Sequence, residues 1–137
     1  MNNGFYEWDK GQDHALSEYF GTAEFSCQCK NLTCVQQKIA FELIDRLERV
    51  REQLTGPLRI TSGFRCHLHQ LELSARGCET AKGLSQHELG SAADVGCLDM
   101  QNLRTLAEKE FQAIGYSKRF LHLDLRGPEI RKWYYKN

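Results

Sequence analysis

The chain of 137 residues has the length of a single domain, and its 41% hydrophobic and 26% charged residues are typical of a globular protein, which excludes a disordered chain. Eighteen basic and eighteen acidic residues cancel, so no net positive charge favours binding to nucleic acid or to an anionic membrane. We expect one domain that is a monomer and has no nucleic-acid partner.

Two features of the sequence bear on where the chain is made. No segment reaches the ~20 apolar residues of a membrane-spanning helix, so we expect no membrane insertion. The first residues, MNNGFYEWDKGQD, lack the charged and then apolar pattern of a secretory signal. We therefore expect synthesis in the cytoplasm without a signal peptide.

Residues 1–31 are polar and rich in aromatic side chains, and they show no clear period. We predict an irregular lead-in that packs on the rest of the domain, residues 32–137. A regular pattern begins at Thr33, which forms a capping box with Gln36. Apolar residues then follow at intervals of three or four until Pro57. This pattern predicts an amphipathic helix that begins next to Thr33.

The middle of the chain is predicted to hold two short strands and a long loop. The first strand covers Leu58–Thr61 and leads into Ser62-Gly63-Phe64-Arg65. The stretch from Cys66 to Gly90 has no sustained period, and loops of this length in a compact domain are usually functional. The second strand covers Ala92–Val95.

A second helix is predicted after this strand. Asp99 can cap a helix that carries apolar residues as far as Ile114 and ends at Gly115. The tail at Trp133-Tyr134-Tyr135 is predicted to return as an edge strand or a short helix, and its aromatic side chains are expected to cover the core rather than bind glycans.

The strand predicted at Phe120–Leu125 separates two kinds of side chain. Its period of two places the three leucines on one face and His122 and Asp124 on the other face. One face is therefore suited to the core and the other to chemistry. The order of the predicted elements indicates a small α+β domain with a central antiparallel sheet flanked by helices.

Six cysteines are an even number, which leaves disulfides, a metal site and free thiols open. Three of them form a Cys-x-Cys-x4-Cys run that could contribute to a structural zinc site, but no fourth ligand is visible nearby. Free or partly paired thiols are the alternative, since synthesis in the cytoplasm disfavours disulfides. The six are Cys27, Cys29, Cys34, Cys66, Cys78 and Cys97.

A candidate metal site combines one loop and two strands. His87 and Asp94 are seven residues apart, and the glycine and small residues between them allow the backbone to turn tightly. His122, on the polar face of its strand, is the natural third ligand. Two nitrogens and one oxygen with an open position are typical of a catalytic zinc site.

These residues also carry a resemblance. The motif Ser-x-His-x-x-Gly-x-Ala-x-Asp, the preceding Ser-Gly-aromatic-Arg and the later His-x-Asp resemble the zinc D-alanyl-D-alanine carboxypeptidase branch of the lysostaphin, carboxypeptidase and hedgehog superfamily. The likeness runs from about Leu16 to Arg126. The lead-in Leu-Ser-Glu-Tyr-Phe and Glu-Phe-x-Cys-x-Cys is similar to phage and prophage members.

The resemblance implies a zinc-dependent peptidase that hydrolyses peptide bonds of bacterial peptidoglycan stem peptides, as a carboxypeptidase or an endopeptidase. It implies that zinc (Zn2+) binds His87, Asp94 and His122. It further implies that Arg65 faces the substrate, where it can grip a carboxylate or stabilise an oxyanion. Ser85 is expected to orient the His87 loop and to bind substrate. Such an enzyme acts on the bacterial cell wall, and we expect it to be encoded by a phage or prophage.

One departure from the family pattern concerns the general base. Many relatives have an acidic residue three positions before the last histidine ligand, where this chain has Arg119, and others have a histidine where it has Phe120. Asp124 is the remaining candidate base. Hydrogen bonding to a loop or to Arg126 explains Asp124 equally well, in which case Glu88 or a water molecule could take the proton.

Three alternatives accompany this interpretation. The first is a catalytically silent zinc-binding module of the same fold that binds the cell wall or a protein partner, which Arg119 favours. The second is a non-haem iron oxygenase, whose histidine and carboxylate order differs from that of this chain. The third is that His67 or His69 binds the metal, although we expect both to line or brace the cleft.

Overall fold

The computed structural model describes residues 4–77 and 85–136. Four helices and seven strands lie in these two ranges. The strands are β1 (Phe5–Asp9), β2 (Gln36–Ala40), β3 (Arg59–Ser62), β4 (Ala92–Gly96), β5 (Ala113–Tyr116), β6 (Leu121–Asp124) and β7 (Arg131–Tyr134). The helices are α1 (Thr22–Phe25), α2 (Phe41–Gln53), α3 (His67–Ala75) and α4 (Met100–Glu110). No helix in the described ranges is long and apolar enough to cross a membrane.

The described strands form two sheets. β1 and β2 pair antiparallel as a ribbon of their own. The other five form a sheet in the order β3-β4-β6-β5-β7, which is antiparallel except for the parallel pair of β5 and β7 at one edge. The predicted α+β class with a central antiparallel sheet is therefore confirmed, although β7 joins the sheet in parallel at one edge.

The core lies between one face of the five-stranded sheet and the helices α2 and α4, which contact each other. The amphipathic pattern of each helix turns its apolar side chains toward this sheet. Helix α2 buries Leu43, Ile44, Leu47 and Val50, and α4 buries Leu103, Leu106 and Ala107. From β6, Leu121 and Leu123 enter the same core. The opposite face of β6 is therefore left for His122 and Asp124.

The predicted helix starts too early. Residues 36–40 form β2, in which Gln37 and Ile39 are buried and pair with Trp8 and Tyr6 of β1. The hydroxyl of Thr33 donates to the Asn31 side chain at 2.7 Å, so Thr33 does not cap a helix. The prediction of an irregular lead-in is likewise wrong for β1 and for the single turn α1.

Two further corrections lie in the second half of the chain. The predicted loop after Cys66 begins with helix α3, whose N-terminus is capped by the Cys66 side chain. Helix α4 has its predicted cap, as Asp99 accepts a hydrogen bond from the Asn102 backbone at 3.0 Å, but it ends at Glu110. Ile114 and Gly115 instead belong to β5, because they pair with β6. The tail forms the edge strand β7, which is one of the two forms predicted for it.

Candidate metal centre

Three segments bring His87, Asp94 and His122 together. His87 lies in the turns that precede β4, Asp94 lies in β4, and His122 lies directly opposite Asp94 in the neighbouring strand β6. All three side chains are buried. Residues at opposed positions of adjacent strands project to the same face of the sheet, so the pairing of β4 with β6 alone brings Asp94 and His122 together.

The separations between the ligand atoms suit a metal ion. His87 Nε2 lies 3.2 Å from His122 Nδ1 and 3.3 Å from Asp94 Oδ1, and His122 Nδ1 lies 3.1 Å from Asp94 Oδ1. A tetrahedral zinc ion with bonds of about 2.0–2.1 Å holds its ligand atoms about 3.3–3.4 Å apart. The donor set of two imidazoles and one carboxylate therefore fits zinc in composition and in spacing.

The outer nitrogen of each histidine shows which nitrogen is free to bind metal. His87 Nδ1 lies 2.8 Å from the carbonyl oxygen of Gly63, which can only accept a hydrogen bond. His122 Nε2 lies 2.8 Å from Asp124 Oδ2. With the protons on these outer nitrogens, the inner nitrogens and Asp94 Oδ1 direct three lone pairs at one another, an arrangement that a cation stabilises.

The charge states of Asp94 and His87 also suit metal binding. Burial raises the pKa of this carboxyl, but the adjacent His87 and His122 outweigh it and hold the pKa well below its usual value. Burial lowers the pKa of His87 and so favours the neutral imidazole. A carboxylate and a neutral imidazole are the forms in which these side chains bind metal.

Two glycines make room for the His87 turn. Gly90 has φ +73°, which L side chains rarely adopt, and a Cβ there would lie 3.0 Å from the Lys38 backbone oxygen. A Cβ on Gly63 would lie 2.6 Å from Phe25 Cα. Close packing on Phe25 therefore requires glycine at the position whose carbonyl holds His87.

Ser85 and Glu88 shape the same turn. The hydroxyl oxygen of Ser85 accepts a hydrogen bond from the His87 backbone at 3.2 Å, which is the contact expected for it. Glu88 returns a hydrogen bond by accepting from the Ser85 backbone at 2.7 Å. This reciprocal pair resembles a capping box and fixes the backbone on both sides of His87.

Arg65 lies beside the ligand Asp94. One terminal nitrogen of its guanidinium donates to Asp94 Oδ2 at 2.9 Å, on the oxygen that does not face the histidines. Its Nε donates to Ser62 at 2.9 Å, and its other terminal nitrogen donates to Gln70 at 3.3 Å. These contacts orient both the carboxylate and the guanidinium, so Arg65 is a fixed cation next to the metal centre.

Asp124 is committed to two neighbours. Besides His122, it accepts from the Arg126 guanidinium at 3.0 Å on Oδ1 and 2.9 Å on Oδ2, and from the Arg126 backbone at 3.0 Å. Burial raises its pKa, but the hydrogen bonds from His122 and Arg126 lower the pKa to about 2. Of the two roles predicted for Asp124, these contacts favour hydrogen bonding within the protein over proton transfer.

Four further residues considered from the sequence are His67, His69, Arg119 and Trp133. His67 Nδ1 contacts Glu88 at 2.6 Å, and neither His67 nor His69 joins a metal-binding group within the described residues. Arg119 is exposed. Trp133 lies beside the site, since its ring centroid is 5.3 Å from the ring centroid of His122. The guanidinium of Arg126 lies 5.4 Å from the same Trp133 centroid.

Comparison with known families gives one match. The family model described as Peptidase M15 matches residues 18–124, which is most of the chain and includes His87, Asp94, His122 and Asp124. The chain belongs to the peptidase M15 family. M15 enzymes are zinc-dependent, D-Ala-D-Ala carboxypeptidase-like peptidases, so the predicted family is confirmed and the centre has the expected kind of ligand. Searches of curated proteins and of solved structures found no significant match.

Three contacts that shape this M15 centre were not predicted from the sequence. The Gly63 carbonyl is a backbone group, for which the Ser-Gly-aromatic-Arg motif is the only signal. Glu88 was considered only as a base, although its place three residues after Ser85 is the spacing of a capping box. The ion pair of Arg65 with Asp94 depends on the pairing of β3 with β4, which the sequence does not state.

Proposed function

We propose that this protein is a zinc-dependent peptidase that hydrolyses peptide bonds in the stem peptides of bacterial peptidoglycan. The observation that carries the proposal is the convergence of three lone pairs, from His87, Asp94 and His122, at distances suited to one zinc ion. Three protein ligands leave the fourth position of a tetrahedral ion open, as catalytic zinc sites require. Membership of the peptidase M15 family supports peptide hydrolysis.

The surrounding residues give this centre its fixed geometry. When bound, zinc supplies a Lewis acid that polarises a peptide carbonyl and makes water more acidic. Gly63 and Asp124 hold the two imidazoles in the correct tautomer and orientation. Pre-positioned ligands need no rearrangement during the reaction, which lowers the barrier.

Arg65 is proposed to bind substrate. A guanidinium has five N–H donors, and the contacts to Ser62, Gln70 and Asp94 use three of them among the described residues. The remaining donors can reach a peptide carboxylate or a developing oxyanion close to the metal. A free carboxylate next to the scissile bond is a feature of a carboxypeptidase substrate, so this assignment favours cleavage at the end of a stem peptide.

Asp124 is proposed to act as a positioning residue, because both of its oxygens are already engaged by His122 and Arg126. The carboxylate draws the proton to His122 Nε2 and leaves Nδ1 for the metal, as carboxylates next to zinc-bound histidines generally do.

The test is a digestion with defined products. The zinc-loaded full chain is incubated with purified muropeptides that carry tetrapeptide, pentapeptide and cross-linked stems, and the products are identified by mass spectrometry. Loss of a terminal alanine identifies a carboxypeptidase, and a cut inside the stem or cross-bridge identifies an endopeptidase. A His87→Ala variant prepared in the same way is the control for contaminating hydrolases.

The opposite outcome has a defined meaning. If the zinc-loaded protein gives no products from any stem type and still binds peptidoglycan in a sedimentation assay, the silent binding module is the correct function. The exposed Arg119, at the position of the usual acidic base, is the observation that favours this second candidate.

A further inference from the structure

A second group of metal-binding side chains lies outside the catalytic centre. The sulfur atoms of Cys27, Cys29, Cys34 and Cys66 all lie within 4.8 Å of one another. Three of them belong to the Cys-x-Cys-x4-Cys run between α1 and β2, and Cys66 comes from the N-terminus of α3. The fold thus supplies the fourth cysteine that the run itself lacks.

The spacing of the sulfurs matches a tetrahedral thiolate site. Cys66 Sγ lies 3.7 Å from both Cys27 Sγ and Cys29 Sγ. Zinc–sulfur bonds of about 2.3 Å place the sulfurs of a tetrahedral site about 3.8 Å apart. All four cysteines are free, so no disulfide competes for these positions.

Backbone N–H groups are directed at two of the sulfurs. The Cys66 backbone donates to Cys27 Sγ at 3.4 Å, and the His69 backbone donates to Cys66 Sγ at 3.4 Å. Sulfur accepts a hydrogen bond far better as a thiolate than as a thiol, because the charge strengthens the bond. These donors therefore suit deprotonated sulfurs, the form that binds metal.

Side chains serve the other two sulfurs. Lys10 Nζ lies 3.4 Å from Cys29 Sγ and 2.6 Å from the Cys29 carbonyl oxygen, and the Gln37 amide donates to Cys34 Sγ at 3.4 Å. Each of the four sulfurs thus has an N–H donor of its own. The ammonium group of Lys10 also offsets part of the negative charge that four thiolates around a divalent ion leave.

We propose that these four cysteines bind one structural zinc ion. A set of four protein thiolates is closed, without a position for water or substrate, and it is selective for zinc or iron over hard cations. Cys66 directly follows Arg65, so the ion ties the segment that carries the substrate-facing arginine to the N-terminal part of the chain. The second ion is therefore structural, and it secures the wall of the catalytic centre.

Cobalt substitution distinguishes the two sites in the full chain. Cobalt bound by thiolates gives an intense sulfur-to-metal charge-transfer band in the near ultraviolet, which the His87, Asp94 and His122 site cannot give because it has no sulfur. We expect this band in the wild-type protein and in His87→Ala, and its loss or strong weakening in Cys34→Ser. Cys97→Ser is the matched control, since Cys97 lies outside the cluster and should leave the band unchanged.

Metal content and thiol protection complete the test. Protein purified with zinc under reducing conditions should contain two zinc ions per chain, and one in His87→Ala. Alkylation of the native wild-type protein followed by peptide mapping should label Cys97 and spare the four cluster cysteines until a strong chelator is added. The proposal would be overturned if the wild-type protein gave no cobalt band and its four cluster thiols were either labelled before chelator is added or joined in disulfides. Iron in place of zinc at the four cysteines would overturn the identity of the metal. These readouts do not depend on peptidase activity.

Discussion

The imidazole of His122 lies between two carboxylates, for which we propose different functions. Asp94 faces its inner nitrogen at 3.1 Å and Asp124 faces its outer nitrogen at 2.8 Å. Burial lowers the pKa of this histidine, but the two hydrogen-bonded carboxylates outweigh it and raise the pKa above its usual value. One carboxylate is placed to share a metal with His122 and the other to orient it, so replacing either should have a distinct effect.

The first prediction concerns the metal ligands. His87→Ala should remove the metal from the catalytic centre and reduce peptidase activity to background, because two ligands bind zinc far more weakly than three. Zinc content by mass spectrometry and muropeptide turnover measure the two effects. His14→Ala, at an exposed histidine, is the matched control and should change neither quantity. A His87→Ala protein that kept both its full zinc content and its rate would exclude His87 as a ligand.

The second prediction separates the two roles of Asp124. If Asp124 orients His122, then Asp124→Asn should weaken zinc binding at the catalytic centre by about 10–100-fold, with a matching loss of rate at limiting zinc. If Asp124 were the general base, the rate would fall by about 10²–10⁴-fold at saturating zinc while zinc affinity stayed constant. A zinc titration monitored by activity distinguishes the outcomes, and the second result would contradict the positioning role.

Single residues were the most predictable part of the centre. The ligand types follow from His87 and Asp94 in a motif of small residues and from His122 on the polar face of a strand. Cys66 could not be assigned, because 32 positions separate it from Cys34 and no local pattern joins them. The ion pair of Arg65 with Asp94 was also invisible in the sequence, because it depends on which strands become neighbours.

Among the helices and strands, a clear local period predicted most of α2, α4 and β6, but the local pattern missed or misassigned other elements. Helix α3 escaped prediction because its pattern is inverted: Leu68 and Leu71 are exposed, whereas His69 and Gln70 are buried. Strand β5 was assigned to the preceding helix because Ile114 continues the helical spacing of α4. In both cases tertiary contacts outweighed the local pattern.

The third prediction tests the contact between α1 and the loop after β3. Gly63→Ala should lower the free energy of unfolding by about 1–3 kcal/mol, because the added Cβ meets the Phe25 backbone at 2.6 Å. The backbone movement that relieves this clash should also displace the Gly63 carbonyl that holds His87, and it should therefore weaken zinc binding. Chemical denaturation and a zinc titration measure the two effects.

Gly56→Ala is the control for this substitution. A Cβ on Gly56 meets no atom within 4 Å, so the variant should keep both the wild-type stability and the wild-type zinc affinity. Equal behaviour of the two variants would show that the close packing of Gly63 on Phe25 has no energetic importance.

At the scale of the whole molecule, the hydrophobic core lies on one side of the five-stranded sheet, and the candidate metal ligands lie on the other side. The core buries the apolar faces of α2 and α4, whereas the opposite side has His122 and Asp124 from β6 and Asp94 from β4. Stability on that second side should therefore depend on bound metal more than on hydrophobic burial.

The fourth prediction follows from this division. Removal of zinc with a strong chelator should lower the melting temperature, and added zinc should restore it, because a ligand that binds only the folded state stabilises it. At a free zinc concentration 100 times the Kd, a single site contributes about 2.7 kcal/mol. Differential scanning calorimetry measures the effect, and magnesium, a hard cation, should not replace zinc. An unchanged melting temperature after verified zinc removal would contradict this prediction.

The pairing of β4 with β6 places Asp94 directly opposite His122. A slip of one position along β6 would bring Leu121 or Leu123 opposite Asp94 and would turn the imidazole into the core. A misaligned molecule thus has no complete ligand set, however compact it is. Zinc bound at the His87, Asp94 and His122 site, counted apart from zinc at the four cysteines, consequently reports the fraction of molecules whose strands are aligned correctly, and it can serve as a measure of folding fidelity when the protein is refolded or redesigned.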